Sequence, residues 1–134
     1  MASAKLGKQV FVGTGNQVGE FAQVSSVLAD ANVNITGICA WGQQDKAFFA
    51  LLTDNNAAAI GALKSKGLDA KEQDVVLVML EDKLGAAKMI AEKIKKSGIS
   101  LDAIYGTTCG CKNSSAMLIL ISKENAKLAS CLNA

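Results

Sequence analysis

Two short stretches, Asn16-Gln17-Val18-Gly19 and Asp82-Lys83-Leu84-Gly85, carry the groups best suited to hold a small charged molecule. Each sets an amide or carboxylate side chain three residues before a glycine, and each glycine leads into a helix-like apolar pattern. Backbone N–H groups at a helix start lack partners and carry positive partial charge, so they can receive a carboxylate, while an adjoining Asn or Asp side chain can receive an ammonium group. In the first turn the candidates are Asn16 and Gln17 with the Val18 and Gly19 backbone. In the second, the Leu84 and Gly85 amides would take the anion and Asp82 the cation, with Lys83 beside them. The simpler alternative is that Asn16 and Asp82 only cap the helices.

The four cysteines are the other reactive groups. Cys109 and Cys111 are separated by one residue, and a mononuclear zinc site would need two more ligands in a chain with no histidine and only Cys39 and Cys131 as further thiols. The spacing is not CxxC, and in a strand both side chains would face the same side. Structural thiols are favoured here over redox or metal chemistry, and no metal or cofactor is expected. Without histidine, neither a Ser–His–Asp nor a Cys–His arrangement can be built, and Ser25, Ser26, Thr107 and Thr108 have no evident activating base. "GTGNQVGE" has G-x-G-x-x-x-G spacing rather than the dinucleotide fingerprint, so its glycines read as turn geometry. The chain is not expected to be an enzyme.

The elements that position the two turns repeat. Aligning Gly19 with Gly85 also aligns Val10 with Val76, Val12 with Val78, Val24 with Ile90, Leu28 with Ile94, Val33 with Ile99 and Ile38 with Ile104. Each copy reads as strand, helix, strand, strand, helix. "QVFVGT" is a strand, followed by a helix with Phe21, Val24, Leu28 and Ala31 inward and Asn32 as its stop. "VNITGICAW" and "KAFFALLT" form a hairpin across Gly42–Asp45, and a second helix is capped within Asp54–Asn56, anchored by Ile60 and Leu63, and ended by Gly67. A short strand is expected near Leu68–Lys71. In the second copy "DVVLVMLED" is a strand, Ala87, Ile90, Ile94 and Ser97 face inward, Gly98 ends the helix, and the last helix presents Ala126, Ala129 and Leu132. Aligning Ala116 with Ala47 requires three inserted residues.

The predicted class is α+β: two tandem ferredoxin-like βαββαβ units, residues 1–72 and 73–134, with antiparallel sheets and helices on one face of each. At 134 residues, 50% hydrophobic, the chain can bury a real core, but each unit is small enough to need support. Net charge is +2 with no basic stripe, which argues against nucleic acid, and no apolar run approaches a membrane span. Cysteine usage without a signal-like N-terminus predicts a reduced, cytoplasmic protein.

This ordered duplication resembles the ACT domains, amino-acid-sensing regulatory modules, and among them the short stand-alone proteins made of two. The stretches that carry the likeness are "GTGNQVGEFAQVSSVLADANVNI" and "MLEDKLGAAKMIAEKIKKSGISLDAIYG". The family usually has proline before the turn glycine, where this chain has Val18 and Leu84. The resemblance implies a free amino acid bound at interfaces between modules, through the strand–helix turns. It also implies a homodimer and a regulated enzyme as partner. A ligand-free interaction module is the alternative, and a thiol-based redox or metal-responsive role through Cys109 and Cys111 ranks below both.

Overall fold

The computed structural model describes residues 2–111 and 114–134. Among these, the elements run β1 (Ser3–Gly15), α1 (Glu20–Asp30), β2 (Ile35–Gln43), β3 (Lys46–Thr53), α2 (Asn56–Ser65), β4 (Asp69–Glu81), α3 (Ala86–Ser97), β5 (Ala103–Thr108), β6 (Ser115–Ile121) and α4 (Asn125–Asn133). The short strand expected near Leu68–Lys71 and the one expected from Asp74 are a single strand, β4. Contacts divide the chain into two units, Lys8–Gln73 and Met1–Gly7 with Asp74–Ala134. β1 and β4 each contribute to both units.

In the unit Lys8–Gln73 the strand order is β2-β3-β1-β4. The β1–β3 and β2–β3 pairs are antiparallel, with Val10 opposite Leu51, Val12 opposite Phe49 and Ile38 opposite Leu51. Because alternate strand residues share a face, Val10, Val12, Phe49 and Leu51 form one apolar surface. Val24, Val27 and Leu28 of α1 and Ala59 and Leu63 of α2 close over it. Phe21, expected on the inward face of α1, is 59% exposed, and Val27 takes its place in the core. The start at Glu20 centres the buried stripe on Val24, Val27 and Leu28, one turn beyond Phe21. Stops and caps follow residue chemistry: Asn32 has φ 62°, Gly67 has φ 77°, and Asn55 caps α2 by accepting the Ala58 N–H at 3.1 Å. The side chain of Gln9, fully buried, donates to Gln73 at 2.8 Å.

In the unit of Met1–Gly7 with Asp74–Ala134 the order is β1-β4-β6-β5. Val76 stands opposite Leu120, Val78 opposite Leu118 and Ile104 opposite Leu120. The Val10–Leu51 pair thus has its counterpart in Val76–Leu120. One partner is displaced by 66 residues and the other by 69, as the three inserted residues require. Ala86, Ile90 and Ile94 of α3 with Leu128, Ala129 and Leu132 of α4 cover this surface. Ala87 and Ala126, expected inward, are exposed, and Ala86 and Leu128 are buried instead. Ser3–Gly7 completes the unit. Ala4 lies in the same apolar cluster as Val76 and Leu132, and the Asn133 side chain bonds both its N–H (2.8 Å) and its C=O (2.7 Å). A Cβ on Gly7 would meet Leu77 Cδ1 at 2.7 Å, so glycine permits this close approach.

Two stability effects follow. Leu128→Ala should lower unfolding free energy by about 2–5 kcal/mol, the usual result of emptying a fully buried leucine site. Asn133→Ala should cost about 1–3 kcal/mol by stranding the backbone groups of Ala4. Urea denaturation of each variant checks both, and an unshifted midpoint for Asn133→Ala would mean that the side chain does not anchor the N-terminal segment.

Candidate functional site

The two sequence-selected turns have the same backbone geometry. Gly19 and Gly85 are the N-cap residues of α1 and α3, at φ 95° and 85°, in a left-handed region where a side chain would be strained. After each glycine the bonds run in parallel. Glu20 N–H donates to Gln17 C=O (3.4 Å) and Ala86 N–H to Lys83 C=O (3.2 Å); Gln23 N–H donates to Gly19 C=O (2.9 Å) and Met89 N–H to Gly85 C=O (3.1 Å). No side chain caps either helix. The capping alternative for Asn16 and Asp82 is therefore not what forms.

Both residues are instead tied to the neighbouring hairpin. Asn16 N–H donates to Asp45 C=O (2.9 Å), and Asp82 N–H donates to Ser114 C=O (2.8 Å). Their side chains differ. Asn16 Nδ2 donates to Gln44 C=O (3.1 Å), and a Cβ on Gly42 would come within 2.7 Å of that nitrogen. At the position equivalent to Gly42 the second unit has Thr108, whose hydroxyl donates to the Asp82 carboxylate. One corner is neutral and tight, and the other carries a charge held by a hydroxyl.

Each corner borders a cavity within its own unit. The first, about 480 Å³, is lined by Asn16, Gln17, Gly19 and Glu20 together with Phe21, Ile38, Ala40, Trp41, Gly42, Ala47 and Phe49. The second, about 260 Å³, is lined by Asp82 and Lys83 with Leu80, Glu81, Ala86, Ala87, Gly106, Thr107, Thr108, Ala116, Met117 and Leu118. Val18 and Leu84 lie outside these linings, fully exposed, and Gly85 shapes the second corner without lining its cavity. The structure therefore gathers Asn16, Gln17 and Gly19 on one cavity and Asp82 and Lys83 on the other. Lys83 Nζ lies 3.2 Å from the Glu81 carboxylate, and that hydrogen bond and charge hold Glu81 below the usual carboxylate range.

Sequence reasoning did not single out Phe21, Ile38 or Ala40 as cavity residues. Phe21 and Ile38 read as core because their spacing continues the apolar pattern, and only their pairing near the sheet edge exposes them. Trp41, expected as an anchor, packs on the Phe11 and Phe48 rings with centroids 6.1 and 5.7 Å away, and it also lines the first cavity. The thiol loop also departs from expectation. β5 ends at Thr108 and Gly110 is left-handed at φ 73°, so Cys109 and Cys111 do not share a strand face. Among the described residues no cluster of three or more His, Cys, Asp or Glu side chains could hold a metal ion, and no helix is long and apolar enough to cross a membrane.

No protein-family model and no curated protein matches the sequence. Solved structures do share the fold. A protein of Bacteroides thetaiotaomicron is similar over 96% of this chain and 88% of its own, with TM-score 0.86 and 22% identity. The regulatory subunit of aspartate kinase from Thermus flavus is similar over 97% of this chain and 94% of its own, with TM-score 0.63 and 15% identity. Aspartokinase III of E. coli, in complex with lysine and aspartate, matches 98% of this chain with 31% of its own, at TM-score 0.56 and 13% identity. Identities this low speak to fold alone, and the fold is ACT-like, with six strands and four helices among the described residues.

Proposed function

We propose that this chain is a regulatory module of two tandem βαββαβ units that senses a free amino acid at the Asn16 and Asp82 corners and is not itself a catalyst. The observation that carries the reading is the duplicated corner: a left-handed glycine, a helix start with no side-chain cap, and a cavity beside it, in both units. The helix-start amides other than those of Glu20 and Ala86, which bond within the turn, receive the ligand carboxylate. Asn16 Oδ1 with Gln17, or the Asp82 carboxylate beside Lys83, receives the ammonium group. Likeness to a regulatory subunit of aspartate kinase supports this reading, as does likeness to an aspartokinase that holds lysine and aspartate.

The linings separate the two corners chemically. Phe21, Ile38, Trp41 and Phe49 around the larger cavity suit an amino acid with a bulky apolar side chain, whereas the smaller cavity suits a compact one. Both are open, and Val18, Leu84, Met89 and Ile104 are exposed apolar side chains, so a second copy of the chain completes the enclosure as a homodimer. The ligand-free interaction module is a second reading, favoured by the full exposure of Val18 and Leu84.

Calorimetric titration of the folded chain with each of the twenty free amino acids decides between them. An apolar amino acid should bind, and Ala40→Phe, which fills the first cavity, should weaken it by about tenfold or more. Silence from all twenty would leave the interaction module. Asp82→Asn should weaken binding at the second corner by roughly ten- to a hundredfold, the effect of removing a charged hydrogen-bond partner, and leave the first unchanged. Sedimentation equilibrium should show a dimer that ligand tightens by linkage. A monomer at high concentration would rule out closure by a second copy.

A further inference from the structure

The thiols beyond β5 form a set that amino-acid sensing does not use. The left-handed turn at Gly110 brings Cys111 N–H to Cys109 Sγ, 3.2 Å away. The Cys109 thiol donates to Ser114 Oγ (3.2 Å), and the Ser114 hydroxyl donates to Cys111 C=O (2.6 Å). The Cys111 thiol lies 3.8 Å from Cys109 C=O. Both cysteines are exposed, so solutes reach them, whereas Cys39 and Cys131 are half-buried.

Their surroundings polarise the pair. Contact with the Cys111 side chain first, then with Ser114 and with the Cys111 N–H that donates to its sulfur, holds the Cys109 thiol below the ordinary thiol range. The Cys109 contact raises Cys111 first, helped by partial desolvation and the negative charge of Asp82. Cys109 is therefore the first to become a thiolate, which is the nucleophilic form.

We propose that Cys109 and Cys111 are a reversible dithiol–disulfide pair, oxidised by a hydroperoxide at Cys109 and resolved by Cys111. The Cys109 thiolate attacks the hydroxyl oxygen of the hydroperoxide, the O–O bond breaks, and Cys109 becomes a sulfenic acid as hydroxide leaves from hydrogen peroxide or alkoxide from an organic hydroperoxide. Cys111 sulfur then displaces the sulfenic hydroxyl, its proton leaves with that hydroxyl as water, and the S–S bond forms. The peroxide gains the two electrons that the sulfurs lose, and a small thiol reverses the step by exchange. Closing the bond rearranges the Gly110 turn, whose N–H donates to Thr108 Oγ1 (3.2 Å), and the same hydroxyl donates to Asp82. The redox state thus reaches the second corner, whether or not that corner holds an amino acid.

The test uses the full chain, reduced and then exposed to hydrogen peroxide. Cleavage after Lys96 and Lys112 releases residues 97–112, which hold both thiols and no other cysteine. This peptide should become two hydrogens lighter, without joining two chains, and a small thiol should restore it. Before oxidation, Cys109 should alkylate on the order of tenfold faster than Cys111 near neutral pH. Its rate should level off at lower pH, with Cys111 and Asp82 the titratable neighbours that set the difference. Cys111→Ser should stop at a sulfenic acid that a cyclic 1,3-dione traps. Cys109→Ser should react far more slowly. Oxidation should also shift the Asp82 amide resonance. Pairing to Cys39 or Cys131, cross-linking between chains, sulfinic acid at Cys109 with Cys111 still free, or no reaction would each overturn the proposal.

Discussion

The constraint on which both corners depend is a backbone one: the chain must leave a strand and begin a helix within four residues. Gly19 and Gly85 make this possible by taking φ near 90°, where a β-carbon would crowd the backbone. The turn is then fixed by one hydrogen bond to the next hairpin, from Asn16 N–H in one unit and Asp82 N–H in the other. That bond brings the helix start close to the strand ends, and the cavity opens between them. Without the left-handed glycine the helix would start in another direction, and neither the uncapped amides nor the cavity would lie beside Asn16 or Asp82.

The same backbone supports two different chemistries because the side chains meeting at it have diverged. In the first unit Asn16 fits only because Gly42 has no side chain. In the second, the position equivalent to Gly42 supplies the Thr108 hydroxyl, and Asp82 brings a carboxylate that the hydroxyl can satisfy. These are two consistent solutions. A threonine at position 42 would collide with Asn16, and a glycine at position 108 would leave Asp82 without that donor. The two corners share a backbone and differ in a matched pair of side chains.

Much of this was legible from the residues. The 66-residue register predicted which positions are buried together, and Val10 with Val76, Val24 with Ile90, Leu28 with Ile94 and Val33 with Ile99 are buried in both copies. Stops at Asn32 and Gly98 and the cap at Asn55 were legible because each depends on local chemistry. The role of Ser3–Gly7 was not. Its residues are mostly small, Ser3, Ala4 and Gly7, so it carries little apolar signal, and its partners, Leu77 and Asn133, are distant in sequence. Phe21 differs for a related reason: periodicity gives a stripe, but its ring, 6.4 Å from that of Phe49, stands at the mouth of an open cavity and stays exposed. At the sites, the two turns were found because glycine and amide chemistry is local. The cavity walls were not, because strand pairing assembles them.

The thiol loop and the second corner share a single oxygen. Thr108 Oγ1 has one proton to donate and gives it to Asp82, while its lone pairs accept the Gly110 N–H. Orientation of the hydroxyl is therefore set from both sides, and a change in the Gly110 turn alters what Asp82 receives. The first unit has no counterpart, since Gly42 carries no hydroxyl and the Gln44–Asp45 turn binds Asn16 through backbone carbonyls alone. The three residues inserted between the second pair of hairpin strands thus do more than lengthen a loop. The Gly110 N–H, between the two cysteines in sequence, lies one hydrogen-bonded oxygen from the only carboxylate among the eight turn residues, an arrangement the first corner lacks.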